Sequence, residues 1–101
     1  GYQTQLTQAS HDVGVDVVAR RGSVRLAVQV KHYRSAVSGS AIAEALLGMP
    51  HYGCNACMVV TNSRFTTAAI KAAAPHPCTL IDRLELAAWL QEVRTQAGTQ
   101  S

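Results

Sequence analysis

The chain is poor in charge and in aromatic rings: 15% of its 101 residues are Asp, Glu, Lys or Arg, and 5% are Phe, Trp or Tyr. So little charge beside 48% hydrophobic content excludes intrinsic disorder, which needs the opposite balance. No apolar run approaches the roughly 18 residues that a membrane-spanning helix requires, so a span is excluded. A basic start leading into an apolar run and a small-residue cleavage site is also missing, and no secretory signal is expected. Three cysteines are too few, and odd in number, for a disulfide scaffold; they suit a reducing compartment and a cytoplasmic location. No G-x-G-x-x-G, Walker loop or G-x-S-x-G occurs, so no nucleotide cofactor and no serine-hydrolase chemistry is expected. What remains is one domain, expected over residues 1–97 with a polar tail at 98–101, long enough to bury roughly 65% of its unfolded surface.

Acidic residues are absent from Val17 to Ala43. Arg20, Arg21, Arg25, Lys31 and Arg34 fall in that stretch with His32, so the net charge of +3 understates the local positive charge. Such a window is either a footprint for a phosphate backbone, with Arg20, Arg21, Arg25 and Arg34 as the DNA contacts, or a solvated strand face. Tyr33 is the one aromatic residue within it, which argues against a binder that stacks single-stranded bases.

Periodicity organises the chain. Tyr2 to Thr7 alternates weakly as a short strand; Val13 to Ala19 and Val24 to Lys31 alternate strongly, with β-branched residues at every second position. Gly22-Ser23 between them fits a two-residue hairpin turn with glycine first. Ser38-Gly39-Ser40 precedes a helix over Ala41 to Gly48, closed by Gly48 and Pro50. Cys57 to Thr61 reads as a buried strand. Thr66 or Thr67 caps a helix to about Ala74, ended by Pro75 and Pro77, and Cys78 to Ile81 is a further buried strand. Asp82 caps a last helix to about Gln96, expected to bury Leu84, Leu86, Trp89, Leu90 and Val93. The order predicts an α/β fold with an antiparallel start and parallel crossovers later.

The hairpin register carries the chemistry. With Gly22-Ser23 in the turn, Asp16 faces Gln29, Gly14 faces Lys31, Val18 faces Ala27 and Arg20 faces Arg25. The opposite face pairs Val15 with Val30, Val17 with Val28 and Ala19 with Leu26, all apolar. A carboxylate, an amide and an ammonium thus share one side, and such a group suits metal-assisted phosphodiester hydrolysis. Asp16, the side-chain oxygen of Gln29 and a main-chain carbonyl supply the hard oxygens that Mg²⁺ requires, with Mn²⁺ as a substitute. Lys31 orients the attacking water or offsets charge on the phosphate. An ordinary polar strand face with a snorkelling lysine explains the same spacing.

Four ordered blocks favour the first reading by resemblance. H-D-V-G-V-D-V-V-A-R, A-V-Q-V-K-H-Y, V-V-T-N-S-R-F-T-T-A-A and T-L-I-D-R-L-E-L, spread over residues 1 to about 90, together resemble the Mrr-type restriction endonuclease domain. That domain belongs to the broader PD-(D/E)xK nuclease fold. The resemblance implies a restriction-endonuclease-like mixed central sheet flanked by helices, and an Mg²⁺-dependent endonuclease acting on DNA. Its metal-binding aspartate falls on Asp16, its E/Q position on Gln29 and its lysine on Lys31, with Val30 between them as the main-chain ligand. The block often written D-G-G-V-D reads Asp12-Val13-Gly14-Val15-Asp16 here, and His32 stands where a basic residue usually follows the lysine. Family members usually begin with a helix whose Glu supports the metal; no residue here takes that role, and a homodimer is expected to cover the sheet surface such a helix covers. The alternative is a catalytically inactive DNA-binding or dimeric interaction domain with the same fold.

Other residues admit readings of both kinds. Asp12 is a second metal ligand or a turn residue, and His11 a phosphate contact or a loop imidazole. Tyr33 and Arg34 are backbone contacts or plain surface. Glu44 replaces the absent Glu only if its helix faces the site, and otherwise is a solvated carboxylate or a salt-bridge partner. His51, Cys54 and Cys57, with His76 and Cys78 beyond, have a spacing compatible with zinc, but a lone C-x-x-C before an apolar strand reads better as buried thiols, and zinc is not expected.

Overall fold

A computed structural model of the chain describes residues 3–6 and 15–99. The chain folds back at Gly22, whose φ of +58° belongs to the first central position of a two-residue hairpin turn and favours glycine there. This turn joins β2 (Val17–Arg21) to antiparallel β3 (Val24–Lys31) in the predicted register, with Val17 opposite Val28, Val18 opposite Ala27 and Arg20 opposite Arg25. Asn55 clamps the tip: its Oδ1 accepts the Arg25 N–H at 2.9 Å, and its Nδ2 donates to the Ser23 carbonyl at 2.9 Å. A short antiparallel strand, β1 (Gln3–Leu6), lines the outer side of β2.

The predicted ladder ends earlier than its alternation suggests. The Asp16 N–H donates to the Val28 carbonyl at 2.9 Å, although Val28 already faces Val17, so the chain steps off register by one residue. The expected pairs of Asp16 with Gln29 and Val15 with Val30 are therefore not made. Val15 joins the buried core while Val30 is 53% exposed. Gly14, and with it the expected pairing to Lys31, lies outside the described residues, as do His11 and Asp12.

Beyond β3 the chain crosses through α1 (Gly39–His51) to β4 (Ala56–Thr61), and through α2 (Thr67–Ala73) to β5 (Cys78–Ile81). Both crossovers return the chain parallel, giving a mixed sheet of order β1-β2-β3-β4-β5. Thr66 caps α2 by accepting the Ala69 N–H at 3.0 Å. Asp82 Oδ1 does the same for Leu84 and Glu85, at 3.0 Å each, at the start of α3 (Arg83–Thr99). α1 extends beyond the predicted Ala41–Gly48 at both ends: Pro50 sits in its last turn, and Gly48 is a buried helical residue rather than a stop. α3 runs on past Gln96 to Thr99. Helices thus flank a mixed central sheet, as the resemblance implies. Among the described residues no helix is long and apolar enough to cross a membrane.

The two faces of the sheet are covered unequally. One carries Val18, Ala27, Gln29, Cys57 and Val59, all buried, and α1 and α2 close over it with Ile42, Ala45, Ala69 and Ala73. The other carries Val28, Val30, Met58, Val60 and Ile81, and among the described residues only α3 lies against it, on β4 and β5. A cleft of about 550 Å³ remains there, lined by Val28, Met58, Val60, Ile81, Leu86 and Trp89 among others. The expectation that α3 buries five apolar side chains is corrected: Leu84 (70%), Trp89 (59%), Leu90 and Val93 are exposed, and only Leu86 is half-buried. Helical spacing gathers Leu86, Trp89, Leu90 and Val93 on one stripe, but Leu86 and Trp89 line an open cleft instead of closed packing.

Candidate active site

Gln29 and Lys31 stand two residues apart on β3, so the pleat turns both toward the face beneath α1. On α1 the buried positions Ala41, Ile42, Ala45 and Gly48 form the inward stripe, and Glu44 flanks it. Its carboxylate reaches back to the strand, where Oε2 accepts from Gln29 Nε2 at 3.1 Å and from Lys31 Nζ at 3.2 Å. The Lys31 ammonium also lies 5.7 Å from the centroid of the Tyr33 ring, within reach of a cation–π attraction.

Burial by itself lowers the tendency of Lys31 to carry charge, yet the Glu44 hydrogen bond and charge, with a smaller contribution from Tyr33, more than offset it and raise its pKa. The Lys31 hydrogen bond in turn holds the Glu44 carboxyl below the usual carboxylate range, against the opposing effect of burial. Lys31 is thus a fixed cation, suited to neutralise charge rather than to remove a proton.

Gln29 is 2% exposed and spends its amide N–H on Glu44. Among the described residues its Oε1 is buried without a hydrogen-bond partner. Leaving such an acceptor unsatisfied costs about 1–3 kcal/mol, so the site carries a standing preference for something that donates to, or coordinates, this oxygen. Asp16 stands at the start of β2 and is exposed, and its Oδ2 accepts the Val30 N–H at 2.8 Å. That bond ties the carboxylate to the strand bearing Gln29 and Lys31 even though the ladder itself has ended. Among the described residues no group of three or more His, Cys, Asp or Glu is placed to hold a metal ion. A cation at Asp16 would accordingly draw on the Gln29 amide oxygen and the Val30 main-chain oxygen as well. These are hard oxygen donors of the kind Mg²⁺ takes, with waters completing its shell, and an orphaned buried acceptor among them fits that group.

The basic residues divide. Arg20, Arg21 and Arg25 cluster at the hairpin tip, and Arg25 is six residues from Lys31 along β3, about 20 Å at about 3.3 Å per residue. They are not brought to the Gln29–Lys31 end. Arg34 is, and it shares a cleft of about 100 Å³ with Tyr33, Asn62, Ser63, Arg64 and Arg83. The cleft is held by main-chain and side-chain bonds across the loops: Tyr33 N–H to Asn62 Oδ1 at 2.9 Å, Ser63 Oγ to the Ser35 carbonyl at 2.9 Å, and Arg83 N–H to the Ser63 carbonyl at 3.0 Å.

Sequence reasoning missed Arg64 and Arg83 and left Glu44 open. A signal existed for each. Parallel crossovers bring the C-terminal ends of β3, β4 and β5 to one edge, so the residues following those strands meet there. An apolar stripe at 41, 42, 45 and 48 puts residue 44 on its border. The cysteines sit elsewhere. Cys57 and Cys78 face each other across β4 and β5, and Cys57 is fully buried. A hydrogen bond with Cys78, together with burial, holds its thiol protonated. Burial also pushes up the Cys54 thiol, with Arg20 and Arg25 opposing. His51 is exposed and stacks edge-on against Tyr52, with ring centroids 4.9 Å apart.

Comparison with known proteins bears on this geometry. Residues 1–90 match the Mrr_cat family, described as restriction endonuclease. No curated protein sequence matches the chain. Among solved structures, the chain is similar to the DNA modification-dependent restriction endonuclease AspBHI, with a TM-score of 0.76 and 20% identity over 91% of this chain and 26% of that one. It is similar to the protein of unknown function AF1548, with a TM-score of 0.67 and 20% identity over 81% of this chain and 50% of that one. It is also similar to MspJI restriction endonuclease, solved in complex with a 27-mer oligonucleotide, with a TM-score of 0.64 and 24% identity over 86% of this chain and 22% of that one. The matches thus span half or less of the length of these proteins, and at such identities the likeness is one of fold.

Proposed function

Because the chain belongs to the Mrr_cat restriction endonuclease family, we propose that it is the nuclease core of a metal-dependent DNA endonuclease whose site is Asp16, Gln29 and Lys31. The observation that carries this reading is the buried Oε1 of Gln29, unpartnered among the described residues, two residues from an ammonium held in place and next in sequence to the residue whose N–H Asp16 accepts. Asp16, Gln29 Oε1 and the Val30 carbonyl are the oxygens that would hold Mg²⁺ or Mn²⁺. What such a cation would supply is a lowered pKa for a bound water and an offset to charge developing on the phosphate. Lys31, kept protonated and oriented by Glu44, neutralises the same charge from the protein side.

DNA as the substrate is supported by the names of two of the similar proteins and by the basic edge beside Lys31. In this reading Arg34, Arg64 and Arg83 take phosphates next to the site, while Arg20, Arg21 and Arg25 at the hairpin tip contact a more distant part of the duplex. The open apolar face beside α3 is taken by a second copy of the chain; Glu85 and Glu92 on its rim disfavour nucleic acid there. Three free thiols suit the reducing cytoplasm.

The test is incubation of duplex and branched DNA with Mg²⁺ or Mn²⁺, with EDTA, Asp16→Ala and Lys31→Ala as controls. Cleavage is expected to need the cation and to fall on the order of 100-fold or more in either variant. Cleavage that persists in Asp16→Ala overturns the assignment. Salt-dependent DNA binding without cleavage supports the inactive, DNA-binding alternative.

A further inference from the structure

We infer that Glu44 is a positioning residue of this site: by accepting the Gln29 amide N–H it fixes which way that amide points, and so which atom it offers to a cation. The inference rests on the metal-site reading above and extends it to a residue outside the Asp16, Gln29 and Lys31 set. A glutamine side chain has two nearly isosteric ends, an oxygen that can coordinate a cation and an NH₂ that cannot. Buried at 2% exposure, Gln29 has no bulk water to make the two orientations equivalent. A carboxylate is an acceptor only, so with Glu44 Oε2 at 3.1 Å the NH₂ must face α1 and Oε1 must face away from it. The flipped amide would set oxygen against oxygen at that distance.

Lys31 reinforces the arrangement. Its ammonium donates to the same Glu44 Oε2 at 3.2 Å, so one oxygen on α1 aligns both side chains of the Q-x-K pair. The arrangement also gives a reason for glutamine at position 29. A glutamate there would set one carboxylate against another, while a glutamine satisfies Glu44 and still presents one oxygen. α1 is therefore part of the site, and not only a cover for the sheet.

The experiment compares Glu44→Ala with Glu44→Gln. Glu44 is 52% exposed on a helix, and alanine is the best helix former, so the first variant is expected to fold; thermal unfolding checks it. Glu44→Gln keeps a carbonyl acceptor, and because Gln29 and Lys31 both donate to this point, its oxygen is the end that turns toward them. Mn²⁺ affinity, read by electron paramagnetic resonance titration with Asp16→Ala as the negative control, is expected to fall about 10–100-fold in Glu44→Ala and to stay near wild type in Glu44→Gln. In the metal-free protein, the Gln29 side-chain amide protons are expected to exchange slowly in wild type and Glu44→Gln and rapidly in Glu44→Ala. Equal exchange in wild type and Glu44→Ala overturns the inference whether or not Mn²⁺ binds. Affinity that falls as far in Glu44→Gln as in Glu44→Ala overturns it too, since charge and not orientation then matters. Absence of Mn²⁺ binding by wild type overturns the metal-site reading on which the inference rests.

Discussion

One face of the sheet is sealed by α1 and α2; the other is shared between α3 and an open apolar cleft. The sealed face contains the polar side chains of the candidate site, and the open face presents Val28, Val30, Met58 and Val60. Ordinary hydrophobic sorting would put these the other way round. The difference shows that burial here follows from which helices return over which face, not from the polarity of a single strand. It also explains the chemistry: an amide and an ammonium placed under a helix meet one specific carboxylate, Glu44, where an exposed strand would offer them only water.

The contrast can be tested by substitution. The largest expected effect is on the sealed face: Ile42→Ala, at a fully buried position, should cost about 2–5 kcal/mol in urea unfolding. A loss under about 1 kcal/mol would mean that α1 does not seal its face. Gln29→Met sharpens the comparison from within the same face. Replacing the amide removes an unsatisfied buried acceptor while keeping the volume, so stability should rise by about 1 kcal/mol while Mn²⁺ binding is lost. Stability falling by that amount instead would show that the bond to Glu44 holds the face together. The smallest effect belongs to the open face: Trp89→Ser should change unfolding of the monomer by less than about 0.5 kcal/mol, since the ring is already largely exposed. The same substitution should shift size-exclusion and light-scattering mass from dimer to monomer. A wild-type chain that is monomeric throughout removes the second copy from the proposal.

Much of the fold was legible in advance. Alternation of β-branched residues and the Gly22-Ser23 turn are local signals, and they place β2 and β3 in register from the turn as far as Val17 and Val28. Caps at Thr66 and Asp82 are equally local, because each side chain bonds to N–H groups two or three residues on. Apart from the ends of α1 and α3, the misreadings were of longer range. The ladder breaks at Asp16 because a carboxylate bonds a main-chain N–H on the neighbouring strand, an option that no alternation encodes. Leu84, Trp89, Leu90 and Val93 look like core on helical spacing, but whether anything covers them depends on how far α3 stands from the sheet. For the site, Gln29 and Lys31 were placed on one strand face by the pleat alone. Glu44 was not, since its partners lie 15 and 13 positions away along the chain and meet it only through the crossover.

The sequence by itself determined the hairpin, the order of strands and helices, the family pattern and the three residues to which the chemistry is assigned. Each follows from interactions between near neighbours in the chain, or from residue types at set spacing, and these are visible without coordinates. Tertiary structure decided which face those residues occupy, that Glu44 joins them, and that Arg34, Arg64 and Arg83 share a cleft while Arg20, Arg21 and Arg25 stand at the far end of β3. These outcomes depend on parallel crossovers, which bring distant segments to one edge of the sheet and put one helix over one face. A net charge of +3 is the same in either arrangement; only folding brings Arg64 and Arg83 to Arg34 and away from Arg20, Arg21 and Arg25.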